Sequence, residues 1–123
     1  MDTFHWDQSS VSSIDRSQPL TVTWTGGTAG ALVSIHVISS AAPGPTGSIG
    51  AAVFCAQDAT AGSFTIPAPL LSAVPPSFTV DGKAQGTLEV YETSATTPFN
   101  ASGLDLGTIS FQVTFTKSFV AVQ

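Results

Sequence analysis

The alternation of residues in the segment Leu20–Thr25 constrains the fold of this chain more than any other feature. Its apolar positions are Leu20, Val22 and Trp24, and a threonine follows each of them. Successive side chains of an extended strand point to opposite faces, so one face of this segment is apolar and the other polar. Gly26–Gly27 follows and predicts a turn. We therefore expect a half-buried β-strand with Trp24 in the core, followed by a hairpin whose register the two glycines set.

The same alternation recurs along the chain and predicts an all-β fold. We predict strands at 4–6, 19–25, 31–38, 49–57, 63–66, 78–80, 86–92 and 109–116, the last continuing to 119–122. Short strands separated by turn residues are typical of an antiparallel β-sandwich, here of about seven strands. No linker divides residues 1–123, and this length suits a single domain.

One short helical turn is expected within this all-β pattern. Pro69–Val74 is too short to be a stable helix alone, and Pro75–Pro76 ends it. We expect Leu70, Leu71 and Val74 to close one end of the sandwich.

The clearest alternation of all lies near the end of the chain. Ile109, Phe111, Val113 and Phe115 alternate with polar residues, and we expect all four to face the core. Residues 93–103, before this strand, are predicted to form a loop.

Charge is scarce, and its balance excludes two classes of partner. Only 9% of the residues are charged, the formal net charge is −5, and the basic residues Arg16, Lys83 and Lys117 are scattered. Nucleic acids and anionic membranes both require a cationic surface, so neither is an expected partner. No apolar run is long enough to cross a bilayer, which excludes membrane insertion.

The composition also favours an extracellular or cell-surface location. The strands take their polar faces from Ser and Thr rather than from Lys and Glu. Met1–Thr3 does not begin a signal peptide, since a basic region and an apolar region are both missing. We therefore expect the chain to be the mature or excised part of a larger exported protein.

The sequence offers no catalytic residues. The only cysteine, Cys55, shares a strand face with Val53 and is predicted to be a small buried thiol. A reactive thiol or an intermolecular disulfide is the alternative for Cys55. His36 is predicted on a solvated strand face, and no G-x-S-x-G motif occurs. Glu89 and Glu92 are three residues apart on one strand, so they face opposite sides and cannot act as an acid–base pair.

The remaining carboxylates predict neither a metal site nor a cofactor. Asp58, Asp81 and Asp105 fall in predicted turns, where an aspartate accepts hydrogen bonds from its own backbone. No Asp-x-Asp-x-Asp run of a calcium loop occurs. Asp105, between two leucines, is the position where calcium binding is worth testing.

Exposed aromatic residues are the candidates for a binding surface. Tyr91 and Phe54 lie opposite their apolar neighbours, and Trp6 lies near the start of the chain. Side by side, such rings would form a carbohydrate platform or a protein interface, whereas partial burial at a sheet edge is the simpler interpretation. Few charges protect the strand edges, so a homodimer through an edge strand is also expected to be possible.

Several motifs together carry a resemblance to a known family. They are Leu20–Gly27, Cys55 within a strand, Gly62–Pro67, the turn at Leu70–Pro75 and Gly103–Asp105. From Trp6 to Phe115 the chain resembles a domain near the C-termini of secreted proteins and lipoproteins of environmental bacteria, especially acidobacteria such as Solibacter. The resemblance implies an immunoglobulin-like fold. These domains are mostly uncharacterised, so the resemblance brings no functional residues.

These observations predict a non-enzymatic, immunoglobulin-like module of a larger exported bacterial protein. It would act as a spacer, adhesion or interaction domain with a protein or glycan partner. A carbohydrate-binding module is the alternative, and it requires Tyr91, Phe54 or Trp6 on one exposed face. A small hydrolase is a third hypothesis and would need a pocket where titratable groups converge.

Overall fold

The molecule is built from β-strands arranged as a sandwich. The computed structural model describes residues 3–8, 10–45 and 47–123, and Met1, Asp2, Ser9 and Thr46 lie outside it. In chain order the elements are β1 (His5–Trp6), β2 (Ser13–Ile14), β3 (Leu20–Thr25), β4 (Leu32–Ser40), β5 (Gly50–Asp58), a 3-10 turn (Ala59–Ala61), β6 (Ser63–Ile66), α1 (Ala68–Leu71), β7 (Thr79–Val80), β8 (Lys83–Ala84), β9 (Gly86–Thr93), β10 (Thr97–Phe99), β11 (Gly107–Ile109), β12 (Gln112–Ser118) and β13 (Ala121–Val122). Within the described ranges no helix is long and apolar enough to span a membrane.

Two antiparallel sheets face each other across the core. One sheet holds four strands in the order β12-β9-β4-β5, and the other holds three in the order β1-β3-β6. Two hairpins, β7–β8 and β10–β11, extend from this body. β2 and β13 form a short parallel pair that joins the early and late parts of the chain. The predicted all-β sandwich with one short helical turn is confirmed.

The Gly26–Gly27 turn connects the two sheets, so the predicted hairpin is wrong. β3 pairs with β1 and β6, whereas β4 pairs with β5 and β9. Each of the two strands has one apolar face, and crossing between sheets lets these faces pack against each other. Gly26 has a φ of 73°, and a Cβ there would lie 2.1 Å from the carbonyl oxygen of Thr3. Only glycine fits this close approach.

The core consists of the inner faces of both sheets. Val22 and Trp24 of β3 are buried, as are Val33, Ile35 and Val37 of β4. The indole Nε1 of Trp24 donates a hydrogen bond of 2.8 Å to a backbone carbonyl in the 3-10 turn. Trp24 therefore anchors the core, as the alternation in β3 predicts.

The end of the chain differs from the sequence prediction. Residues 109–116 are divided between β11 and β12, and Ile109 and Phe111 are 47% and 63% exposed. The expectation that these two face the core is therefore wrong. The backbone C=O of Phe111 still accepts from the N–H of Ser94, but its own N–H donates to the hydroxyl of Ser94, and the regular ladder ends there. Val113 and Phe115 do pack against the core but are only half-buried, because β12 is an edge strand.

The helical turn and the loop before β11 need smaller corrections. Leu71 and Val74 are buried as expected, but Leu70 is 47% exposed and does not close the sandwich. A one-turn helix presents only part of its circumference to the core, so Leu71 takes the inner position. The predicted loop at 93–103 contains the strand β10, which pairs with β11.

Candidate functional site

A cluster of side chains centred on His36 lies on the outer face of the four-stranded sheet. The residues next to His36 in β4, Ile35 among them, face the core, so His36 points outward. The ladder places Phe54 of β5 opposite His36 on one side and Glu89 of β9 on the other. Tyr91 lies two residues further along β9 and therefore on the same face.

The three rings in this cluster contact each other edge to face. The ring centroids of His36 and Phe54 are 4.3 Å apart at 89°, and those of His36 and Tyr91 are 4.9 Å apart at 90°. This arrangement is favourable because the positive edge of one ring meets the negative face of the other. We refer to Phe54, His36 and Tyr91 as the aromatic patch. Phe54 is 65% exposed, whereas His36 and Tyr91 are half-buried.

Polar contacts hold the centre of the aromatic patch in place. The hydroxyl of Tyr91 lies 2.9 Å from Nε2 of His36, and Nδ1 of His36 lies 3.5 Å from Oε2 of Glu89. The two ring nitrogens of His36 thus face different partners, with Nε2 toward the phenol of Tyr91 and Nδ1 toward the carboxylate of Glu89. The patch is thus pre-ordered: Tyr91 and Glu89 fix the ring of His36, and Phe54 packs against it.

The same three polar groups follow the order of a catalytic triad. A carboxylate, an imidazole and a hydroxyl follow one another in Glu89, His36 and Tyr91. Cavities of about 420 Å³ and about 220 Å³ occur among the described residues, and none of the three groups lines either one.

Trp6 does not belong to this surface, and its prediction as an exposed binding residue is wrong. It is 1% exposed, because β1 pairs with β3 and turns Trp6 toward the core beside Trp24. Its indole Nε1 has no hydrogen-bond partner among the described residues. The ring forms part of the wall of the smaller cavity, which Val22 and Leu88 also line. Phe54 and Tyr91 remain as the candidates from the sequence.

Glu92 is a buried carboxylate for which the sequence predicts no structural role. Glu89 and Glu92 face opposite sides of β9, as predicted, and Glu92 is 4% exposed. Its Oε1 accepts a hydrogen bond of 2.6 Å from the backbone N–H of Thr28. Thr28 belongs to the turn between the two sheets, so Glu92 fixes that turn. The alternation of residues in β9 already indicates that Glu92 faces the core, so its burial could have been predicted from the sequence.

Of the three aspartates predicted in turns, Asp58 caps its own backbone, and Asp15 does the same although it was not among them. Asp58 accepts hydrogen bonds from the hydroxyl of Thr60 at 2.6 Å and from its N–H at 2.9 Å. Asp15 accepts the same pair of bonds from Ser17. The side-chain bond, followed by the backbone bond, lowers the pKa of each carboxyl. Asp81, with a φ of 49°, forms the turn between β7 and β8 together with Gly82.

Metal-ligating residues do not converge in the part of the chain that the structure describes. No group of three or more His, Cys, Asp or Glu side chains lies together there. Asp105 is exposed in the segment between β10 and β11. Cys55 is half-buried beside the core, and burial raises the pKa of its thiol. The predicted burial of Cys55 is therefore only partly met, and its raised pKa disfavours the thiolate, which is the nucleophilic form.

Comparison with known proteins gives no relative for this fold or for this patch. No family model, no curated protein and no solved structure matches the chain.

Proposed function

We propose that this chain is a non-enzymatic, immunoglobulin-like interaction module of a larger exported bacterial protein. The observation that carries the proposal is the exposed, ordered aromatic patch on the outer face of the four-stranded sheet. Its role would be that of a spacer or adhesion domain which binds a partner through this patch.

The order of the strands supports the immunoglobulin-like part of the proposal. In a variable-type immunoglobulin sheet, strands G, F, C and C′ follow one another. The order β12-β9-β4-β5 matches this arrangement. β12 and β9 come late in the chain, as G and F do, and β4 and β5 are two consecutive earlier strands, as C and C′ are. The facing sheet, β1-β3-β6, then takes the positions of the A, B and E strands.

The physical chemistry of the patch supports binding. Phe54 is 65% exposed on the outer face of the sheet, whereas the inner face of the same sheet packs against the core. Aromatic side chains bury large areas on binding and lose little conformational entropy, so they dominate many interfaces. The contacts to His36 reduce that entropy cost further, because the rings are already ordered before a partner arrives.

A glycan is the alternative partner, and the chemistry around the rings favours it over a purely apolar one. The half-buried hydroxyl of Tyr91 and the carboxylate of Glu89 lie beside the exposed ring of Phe54. Sugar rings stack their C–H faces on aromatic rings and offer hydroxyl groups to such polar neighbours. This alternative would make the chain a carbohydrate-binding module.

The export of the parent protein rests on the composition and on the resemblance to acidobacterial secreted domains. Charged residues make up 9% of the chain. Expression of the natural gene with its own upstream sequence, followed by fractionation of the cells, would test this part directly.

Binding assays with matched variants test the function. The folded chain is screened against an array of glycans and a panel of bacterial surface proteins, and each binder is retested with Phe54→Ala and Tyr91→Ala. Loss of binding in both variants, with binding kept in Phe111→Ala, supports the aromatic patch. Phe111 is the control because it is 63% exposed and lies outside the patch. Substrate turnover that disappears in His36→Ala would overturn the non-enzymatic assignment.

A further inference from the structure

β5 is a long sheet edge that no other part of the described chain covers. It spans Gly50–Asp58 and is the last strand in the order β12-β9-β4-β5. Nine residues extend over about 30 Å of edge at the usual rise of a strand. In the described ranges, its backbone ladder is made with β4 alone.

The backbone groups that point outward from β5 can be identified. Its register with β4 continues beyond both ends of the ladder: the N–H of Ala41 bonds to Ile49, and that of Ala59 bonds to Ala31. Both bonds join odd-numbered residues, and antiparallel strands exchange hydrogen bonds at every second pair. The odd-numbered residues of β5 therefore bond to β4. The N–H and C=O groups of the even-numbered residues Ala52, Phe54 and Ala56 point to the open edge.

This edge lacks the features that usually prevent an exposed strand from pairing with another chain. Those features are lysines, prolines, bulges and inward-pointing charges. Residues 50–57 contain no charged residue and no proline, and the ladder with β4 is continuous from Gly50 to Asp58. The only charge in the strand is Asp58, at its end. β5 is thus a regular and unprotected template for one more strand.

We propose that the partner of this edge is β5 of a second copy of the chain, paired antiparallel about a two-fold axis at Phe54. In this register Phe54 faces Phe54 of the second copy, and Ala52 faces Ala56. Small residues meet small residues on both sides of one aromatic pair, which makes the strand complementary to itself. The N–H and C=O groups of these same even-numbered residues close the new ladder.

The placement of charge selects the antiparallel arrangement. Asp58 would face Gly50 of the second copy, so the two carboxylates lie at opposite ends of the new ladder. A parallel arrangement would put them side by side, where like charges destabilise the pair. The resulting eight-stranded sheet would join the two aromatic patches into one strip across the dimer.

The net charge predicts how the dimer responds to salt. Each chain carries a formal net charge of −5, so two copies repel each other, most strongly at low ionic strength. Added salt screens this repulsion. Dimerisation is therefore expected to strengthen as ionic strength rises.

Sedimentation velocity over a series of concentrations tests the dimer, with variants chosen for the edge. Ala56→Pro removes an outward N–H without removing a bond to β4. We expect it to weaken dimerisation about fivefold to tenfold, whereas Ala56→Ser keeps the N–H and the dimer. Phe54→Lys places two ammonium groups opposite each other at the axis and should weaken dimerisation about tenfold or more. Phe111→Lys, at a similarly exposed phenylalanine, is its control.

Amide hydrogen exchange gives the residue-level readout. The amides of Ala52, Phe54 and Ala56 should become protected as the concentration of the native chain rises. A chain that stays monomeric throughout the series, or a dimer unaffected by Ala56→Pro and Phe54→Lys, overturns the proposal. The dimer and the proposed function can be tested separately. Ala56→Pro changes the edge and leaves the aromatic patch intact, whereas Tyr91→Ala changes the patch and leaves the edge intact.

Discussion

Glu92 shows how much one buried side chain can determine in a charge-poor sandwich. Its carboxylate is taken out of water and has the N–H of Thr28 as its hydrogen-bond donor. Among the described residues, that N–H has no other hydrogen-bond acceptor. Removing the carboxylate would therefore leave a backbone donor without a partner.

We predict that Glu92→Leu lowers the free energy of unfolding by about 1–3 kcal/mol, the usual cost of an unsatisfied buried donor. Glu92→Gln keeps an acceptor oxygen at nearly the same place and should lose less. Urea denaturation, followed by the fluorescence of the buried Trp6 and Trp24, measures both variants. A Glu92→Leu variant more stable than the native chain would mean that the cost of burying the charge exceeds the value of its bond.

Single residues also show which part of the candidate site could be predicted from the sequence. Period-two alternation places His36, Tyr91 and Phe54 on outward faces, and the structure agrees. That His36 stands between the other two depends on the register of three strands, which no local pattern contains. Trp6 was misplaced for a related reason: two residues of β1 are too few for alternation to tell the inside from the outside.

Among the connections between strands, the one between β3 and β4 determines that these two strands lie in different sheets. Its two glycines have φ values of 73° and 104°, and both approach backbone atoms of other segments closely. A pair of glycines serves a hairpin and a crossing between sheets equally well, so the turn residues alone did not distinguish them. The choice depends on which apolar faces find each other, which is a property of the whole core.

We predict that Gly26→Ala destabilises the fold far more than Gly103→Ala. Both glycines have positive φ values, 73° and 85°, so both substitutions strain the backbone by about 1 kcal/mol or more. A Cβ at Gly26 would also meet the Thr3 carbonyl oxygen at 2.1 Å, whereas one at Gly103 meets nothing within 4 Å. The difference between their melting temperatures isolates the steric part, and equal losses would contradict it.

The single strand predicted at 109–116 shows the limit of predicting burial from alternation. The pattern in Ile109, Phe111, Val113 and Phe115 is regular, yet only the last two pack against the core. Alternation indicates which side chains share a face, but another element must cover that face to bury it. Because β12 lies at the edge of its sheet, coverage is incomplete, and nothing in the local sequence shows this.

For the molecule as a whole, stability is expected to fall in acid. The pKa values of Asp15 and Asp58 are lowered in the folded chain by the bonds from Ser17 and Thr60. A lowered folded-state pKa stabilises the fold at pH values above the unfolded-state pKa, about 3.9. This contribution is lost as the pH falls through the folded-state pKa values.

The melting temperature of the native chain is therefore predicted to fall as the pH decreases below about 4. In the double variant Asp15→Asn with Asp58→Asn, the same decrease in pH should cause a smaller fall, because the two titrating groups are missing. Thermal unfolding at a series of pH values, followed by circular dichroism, measures this difference. Identical pH profiles for the two chains would show that other carboxylates control acid unfolding.

The parallel pair of β2 and β13 gives the molecule a mechanical property. The N–H groups of Ala121, Gln123 and Arg16 donate to the carbonyls of Ser12, Ile14 and Gln123. Because the two strands run in the same direction, tension between the start of β2 and the end of β13 pulls along the strands. The bonds are then strained together in shear rather than opened one after another. A chain that connects larger parts of a protein through this pair would resist stretching at the join before its core is disturbed.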